Sequence, residues 1–260
     1  MGNGKMTEVL RVENVSKNFG GLRVLDKLSL LINQKELVGL IGPNGAGKTT
    51  LINVVTSVYK PDEGRIYLCK RDITGLPPHK IARLGVARTF QVPRPFLNLT
   101  VLENVLVSSM YSRRNRNLSD KEIEAKMKGN TELEDVFRLL ELVKLADKRN
   151  CPVSQLNMSE RRLLEVVMAV CLDPIVLFLD EPMAGLTPQE MLELCSVIMR
   201  IRSEREVAIV WVEHRVDIVF DVCDRIIVLN FGVKIAEGKP EDIKKDKRVI
   251  EAYLGEEFAA

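Results

Sequence analysis

The chain is 260 residues long, 46% hydrophobic and 28% charged, which suits one large α/β domain or a core domain carrying a smaller helical insertion. Its formal net charge of +2 gives no electrostatic reason to expect nucleic acid as a direct partner, and the basic run at residues 113–116 reads as a solvated loop. No apolar run reaches the ~18 residues of a membrane span, and MGNGKMTEVL holds no apolar signal core, so membrane association is expected only through partner proteins.

Residues 8–41 read as three strands, VLRVENV, VLDKLSLLI and ELVGLIG. Alternation in the first two predicts an antiparallel layer with one wet face; the third is continuous and predicts a buried strand. A glycine-rich stretch at 42–47 follows. KTTLINVVTSV then has helical spacing, with Leu51, Val54, Val55 and Val58 on one face. KPDEG at 60–64 is a turn and RIYL a returning strand, while QVPRPF at 91–96 excludes regular helix. From about 100 to 172 the pattern is helical. Ser119 with Glu122 and Thr131 with Glu134 form capping boxes that mark helix starts. Strands resume with IVLFL, VAIVWV and RIIVL. Between the first two lies a helix capped by Thr187, with Pro188 as its first residue and Glu190 as box partner, burying Met191, Leu194, Cys195 and Ile198. That alternation implies a largely parallel sheet covered by helices. The five cysteines show no metal spacing and fit reduced thiols in a cytosolic protein; neither His79 nor His214 has a nearby ligand set.

Gly42 to Thr49, GPNGAGKT, fits the phosphate-loop pattern G-x-x-x-x-G-K-[ST]. Its glycines let the backbone curl until N–H groups face phosphate oxygens, and the next helix adds the positive end of its dipole. Lys48 is expected on the β- and γ-phosphates and the Thr49 hydroxyl on Mg²⁺. IVLFLDE reads as a buried parallel strand ending in Asp180 and Glu181, and ligands of open α/β sheets sit at such strand ends. Asp180 fits the Mg²⁺-organising role and Glu181 the activation of an attacking water.

Taken together, these stretches resemble the ATP-binding-cassette (ABC) ATPases across nearly the whole chain. The resemblance implies a P-loop NTPase core of ABC ATPase type, with an antiparallel β layer and an α-helical subdomain. The RecA-like core would span residues 7–91 and 173–238, the helical subdomain 92–172, and a helical tail 239–260. It implies ATP and Mg²⁺ as ligands, with Gly42, Asn44, Gly45, Ala46, Gly47, Lys48, Thr49 and Thr50 holding the nucleotide and Thr49, Gln91 and Asp180 the metal. Gln91 in TFQ looks like the family's Q-loop glutamine, and His214 in VEH looks like its switch histidine, placed to contact the γ-phosphate and Glu181. Phe19 in KNFGG looks like the aromatic that stacks on adenine, with core packing as the alternative. Ala184-Gly185-Leu186 resembles the D-loop, with Thr187 in place of Asp.

Residues 85–107 and the ending IAEGKPEDI…VIEAYLGE resemble the ATPases of branched-chain amino-acid importers. Urea, amide and lipopolysaccharide transporters use similar ATPases, and a soluble ABC clamp acting on nucleic acid or ribosomes is the rival from another class. Transmembrane permease subunits are the implied partners, reached at the cytoplasmic face of the membrane. Residues 92–104, with Pro93, Pro95, Phe96 and Leu97, are the candidate contact, unless Phe96 and Leu97 are core.

One segment departs from the family. Where the signature L-S-G-G-Q is usual, this chain reads Leu156-Asn157-Met158-Ser159-Glu160. In the family this segment grips the γ-phosphate of the ATP on a second subunit. Asn157 and Ser159 can still donate, but Glu160 is expected to point a carboxylate at a triphosphate. The erosion implies a heterodimer with a second, different ABC ATPase subunit. A plain helix start is the other reading, with Ser159 and Glu160 capping a helix over 160–172.

Overall fold

The computed structural model describes residues 7–119, 121–123 and 130–257. Strands β1 (Glu8–Phe19) and β2 (Leu22–Asn33) pair antiparallel, and β4 (Glu63–Leu68) and β5 (Arg71–Asp72) extend them into a four-stranded sheet of order β2-β1-β4-β5. Both long strands exceed their expected lengths, because register shifts let them bend around the core instead of stopping. A second sheet holds β3 (Leu37–Ile41), β6 (Val86–Arg88), β7 (Val176–Asp180), β8 (Ala208–Val212), β9 (Arg225–Asn230) and β10 (Val233–Gly238), in the order β10-β9-β3-β8-β7-β6. From β9 to β6 its pairing is parallel.

The parallel strands are buried on both faces, and their period of two sorts them into two cores. Leu177, Leu179, Ile209 and Trp211 face one core together with helices α3 (Val101–Met110), α4 (Asn130–Leu142), α5 (Met158–Cys171) and α6 (Pro188–Arg205). Val176, Phe178, Ala208, Val210 and Val212 face the other, shared with the antiparallel sheet and α1 (Lys48–Val55). Further helices are α2 (Pro78–Leu84), α7 (Val216–Val222), α8 (Pro240–Ile243) and α9 (Lys247–Glu257), with short 3-10 turns at Arg113–Asn115, Ala146–Lys148 and Val153–Gln155.

Some local expectations change. Helix α1 ends at Val55, so Val58 lies beyond it, 52% exposed, and not on the buried face. Strand β4 takes in Glu63 and Gly64, which the sequence assigns to a turn. Cys195 is only half-buried, whereas Met191, Leu194 and Ile198 are buried as expected. The Ser119 backbone N–H donates to Glu122 at 2.8 Å; the Thr131–Glu134 start falls beside residues outside the described set. Helix α5 starts at Met158, capped by Asn157 with Glu160 as box partner, so Ser159 lies in its first turn.

At α6 the capping box is complete: the Thr187 hydroxyl accepts from the Glu190 N–H, and the Glu190 carboxylate accepts from Thr187. Loss of an N-cap side chain costs about 1 kcal/mol. Thr187→Ala should therefore lower the urea midpoint by that equivalent while Thr187→Ser leaves it nearly unchanged, as read by circular dichroism.

Candidate active site at the ends of four parallel strands

Four neighbouring strands of the parallel sheet run out at the same edge, and each delivers one part of the site. Strand β3 leads into the 42–47 loop, β8 into His214, β7 into Asp180 and Glu181, and β6 into Gln91. Register keeps these ends level, with Leu40 opposite Val212 and Val212 opposite Asp180.

The loop is curled by close backbone approach. Gly42 has φ +151°, and a Cβ there would sit 2.1 Å from the Leu229 carbonyl oxygen. Gly47 has φ +99°, with the Val24 carbonyl 2.9 Å from an added Cβ. Both positions therefore require glycine. Helix α1 starts at Gly47 with no side-chain cap and no acid in its first turn, leaving its first N–H groups for an anion. The Lys48 ammonium, 5% exposed, donates to the carbonyls of Gly42 and, at 2.9 Å, Pro43. An open pocket of about 180 Å³ is lined by Asn44, Gly45, Ala46, Gly47, Lys48, Thr49 and Thr50, with Val24, Glu181 and His214 at its rim.

Glu181 is the meeting point of the site. His214 Nε2 lies 2.8 Å from one carboxylate oxygen, and Gln91 Nε2 donates to the other at 2.9 Å. Its backbone has φ +49°, held by its N–H donating to Val212 O at 3.0 Å and by Arg162 donating to its carbonyl at 3.2 Å. Asp180 is buried to 1% exposure. Burial pushes its carboxyl above the ordinary range, opposed by the Arg88 guanidinium 3.4 Å away. Burial also lowers Arg88 and raises Glu213, which accepts from the Met183 N–H at 2.9 Å and so fixes the turn after Glu181.

Of the residues the sequence reading placed together, Gln91, Glu181 and His214 are in contact, and Glu181 and His214 share a pocket with the loop, whereas Gln91 is not part of that lining. Phe19 is 41% exposed, not core, and meets Tyr59 edge to face with ring centroids 5.0 Å apart; it lies outside the pocket lining. Asn157 and Ser159 also lie apart, at the start of α5.

There Glu160 departs from expectation. Its carboxylate accepts from the Asn157 N–H at 3.1 Å and pairs with Lys148 of the same chain, so it closes the helix cap beside its own counter-charge and is not presented as a bare charge. Asn157 Oδ1 accepts from the Glu160 N–H at 2.8 Å, and the Ser159 hydroxyl bonds to Glu190. Three supporting residues were missed: Arg88, Arg162 and Glu165. A lone acid inside the apolar run LLEVVMAV was the available signal for Glu165. Among the described residues no cluster of His, Cys, Asp and Glu forms a further metal site, and no helix is long and apolar enough to cross a membrane.

A phosphate loop at the head of α1, facing an acid pair and a histidine on adjacent strand ends, defines a nucleotide-binding α/β protein of the phosphate-loop class. Comparison with known proteins narrows the class. The family profile described as ABC transporter matches residues 25–184, and that described as branched-chain amino acid ATP-binding cassette transporter matches residues 233–259. The chain belongs to the ABC transporter family and is an ATP-binding cassette ATPase. It is 40% identical over 250 residues to the high-affinity branched-chain amino acid transport ATP-binding protein LivG of Salmonella typhimurium, covering 95% of this chain and 98% of the relative. It is 39% identical to BraF of Pseudomonas aeruginosa, with the same coverage. Among solved structures, a nucleotide-free ATP-binding cassette from an ABC transporter superposes with a TM-score of 0.81 at 34% identity, covering 95% of this chain and 98% of that one. Another cassette, in its ADP conformation, matches at 0.81 and 33%, covering 95% of this chain and 99% of its own.

Burial raises the Glu165 carboxyl from 4.5 to about 7. Such a group contributes stability fully below pH 4.5, and that contribution is lost as pH rises through 7. Glu165→Gln stays neutral throughout. Its melting temperature relative to the unaltered chain should therefore climb by several degrees between pH 5 and pH 8, whereas a constant difference would contradict the shift.

Proposed function

We propose that the protein is the ATP-hydrolysing subunit of a membrane importer for branched-chain amino acids. The observation that carries this reading is similarity over 95% of the chain to relatives named for that transport, with the tail profile in agreement. Lys48 and the loop N–H groups would bind the β- and γ-phosphates, and the exposed face of Phe19 would stack on adenine. Thr49, Gln91 and Asp180 would hold Mg²⁺. The donor set fits such an ion, because the buried Asp180 Oδ1 has no hydrogen-bond partner among the described residues. Bound there, the cation would neutralise charge on the phosphates. Glu181 would orient the attacking water and take its proton, while Gln91 and His214 hold the carboxylate in place. The bond to the leaving ADP breaks as the water oxygen joins the γ-phosphorus.

Residues 7–91 with 173–238 would act as the nucleotide-binding core, 92–172 as the helical subdomain, and 239–260 as a tail. Val92, Phe96 and Leu97 are 64%, 54% and 46% exposed, which supports docking of permease subunits on residues 92–104 and rules out core packing for the last two. The buried Asn104 shapes this surface by accepting from the Phe96 N–H at 2.7 Å and donating to its carbonyl at 3.0 Å. Peripheral attachment at the cytoplasmic face follows from that docking. The second nucleotide-binding subunit would be a different ABC ATPase. What supports this is the engagement of the Ser159 hydroxyl by Glu190 of its own chain, together with side chains at 158 and 159 where close approach favours glycine.

Two measurements test this reading. Reconstituted with its permease and the second ATPase subunit in liposomes, the chain should drive ATP-dependent uptake of radiolabelled leucine, isoleucine and valine; uptake of urea alone would overturn the substrate assignment. In sedimentation with MgATP, Glu181→Gln should stay monomeric at tens of micromolar, and a stable homodimer would refute the heterodimer.

A further inference from the structure

Helix α5 grips the active site twice, one turn apart on a single face. Arg162, 7% exposed, donates to the Glu181 carbonyl at 3.2 Å. Glu165, 8% exposed and three residues on, accepts from the Phe90 N–H at 3.1 Å and from the Arg94 N–H. Residues three apart on a helix are neighbours, so these two grips move as one. Phe90 is bonded directly to Gln91, and Gln91 donates to the Glu181 side chain at 2.9 Å. The contacts therefore close a circuit: Glu165 to the Gln91 loop, Gln91 to Glu181, Glu181 to Arg162, and Arg162 back to Glu165 along the helix.

We propose that Glu165 is the positioning residue through which α5 sets Gln91 against Glu181. The proposal rests on the assignment of Glu181 and Gln91 to ATP hydrolysis. Glu165 fixes the backbone on one side of Gln91 through Phe90 and on the other through Arg94, while Arg162 fixes the Glu181 carbonyl.

Glu165 is buried and lies outside the lining of the phosphate-loop pocket, so its loss should act on turnover and not on ATP binding. In the complex of the full-length chain with its partner ATPase and permease, Glu165→Leu keeps the side-chain volume and removes the acceptor. Phosphate release from MgATP should fall at least about tenfold in kcat, with KM for ATP within about threefold. Glu165→Gln keeps an acceptor oxygen and should recover most of that loss. In a Gln91→Ala background, Glu165→Leu should produce no further fall, since its effect runs through Gln91. Arg162→Met, at the other grip, should lower kcat in the same sense. The positioning role is overturned if Glu165→Leu turns over like the unaltered protein, if Leu and Gln fall equally, or if the fall persists undiminished without Gln91. Absence of phosphate release by the complete, unaltered complex would instead overturn the hydrolytic reading beneath it, and the positioning role with it.

Discussion

The site depends on one turn of backbone at the end of β7, where two consecutive carboxylates must serve the same nucleotide. A strand sends successive side chains to opposite faces. Asp180 continues the face of Val176 and Phe178, toward α1 and the phosphate loop, so Glu181 in a continued strand would point into the opposite core. It does not, because its backbone turns to φ +49°. A conformation of that kind costs about 1–3 kcal/mol and persists only where its surroundings over-determine it. Here the surroundings are two backbone bonds, to Val212 and from Arg162, and two side-chain partners, Gln91 and His214.

Around this turn the protein keeps charge out of water. Asp180, Arg88 and Glu165 on one side and Glu213 on the other are all largely buried, and burial dominates each of their shifts. A dry, fixed environment strengthens every electrostatic contact the nucleotide would make and leaves little to reorganise when charge moves. The phosphate loop is rigid for a different reason. Gly42 lies against the Leu229 carbonyl and Gly47 against Val24, so the loop is wedged between β9 and β2, and the Lys48 ammonium ties it further through the Gly42 and Pro43 carbonyls.

Much of this was legible in the sequence because it rests on local pattern. The glycine spacing, the continuous IVLFL run before Asp180 and the capping box at Thr187 each encode their own geometry. Strand β6 was not legible, since three residues carry no measurable period, and the role of Arg88 went unread with it. The direction of Glu160 was misread because it is set by Lys148, which reaches it from another segment. Glu165 depends in the same way on the approach of the Gln91 loop, which only the tertiary fold supplies. The cap and ion pair of Glu160 also change the reading of the 156–160 segment: what sets it apart from a glycine-rich signature is the side chains at 158 and 159 and the Ser159 hydroxyl already engaged by Glu190.

Steady-state phosphate release by Glu181→Gln, read beside ATP binding by the same preparation, tests the central role given to Glu181 most directly. The neutral amide fills the same space and can still meet Gln91 and His214, but it cannot take a proton from water. Turnover should fall by about a hundredfold or more while ATP affinity stays within a few-fold. Turnover close to that of the unaltered chain would contradict the assignment and move the proton acceptor elsewhere.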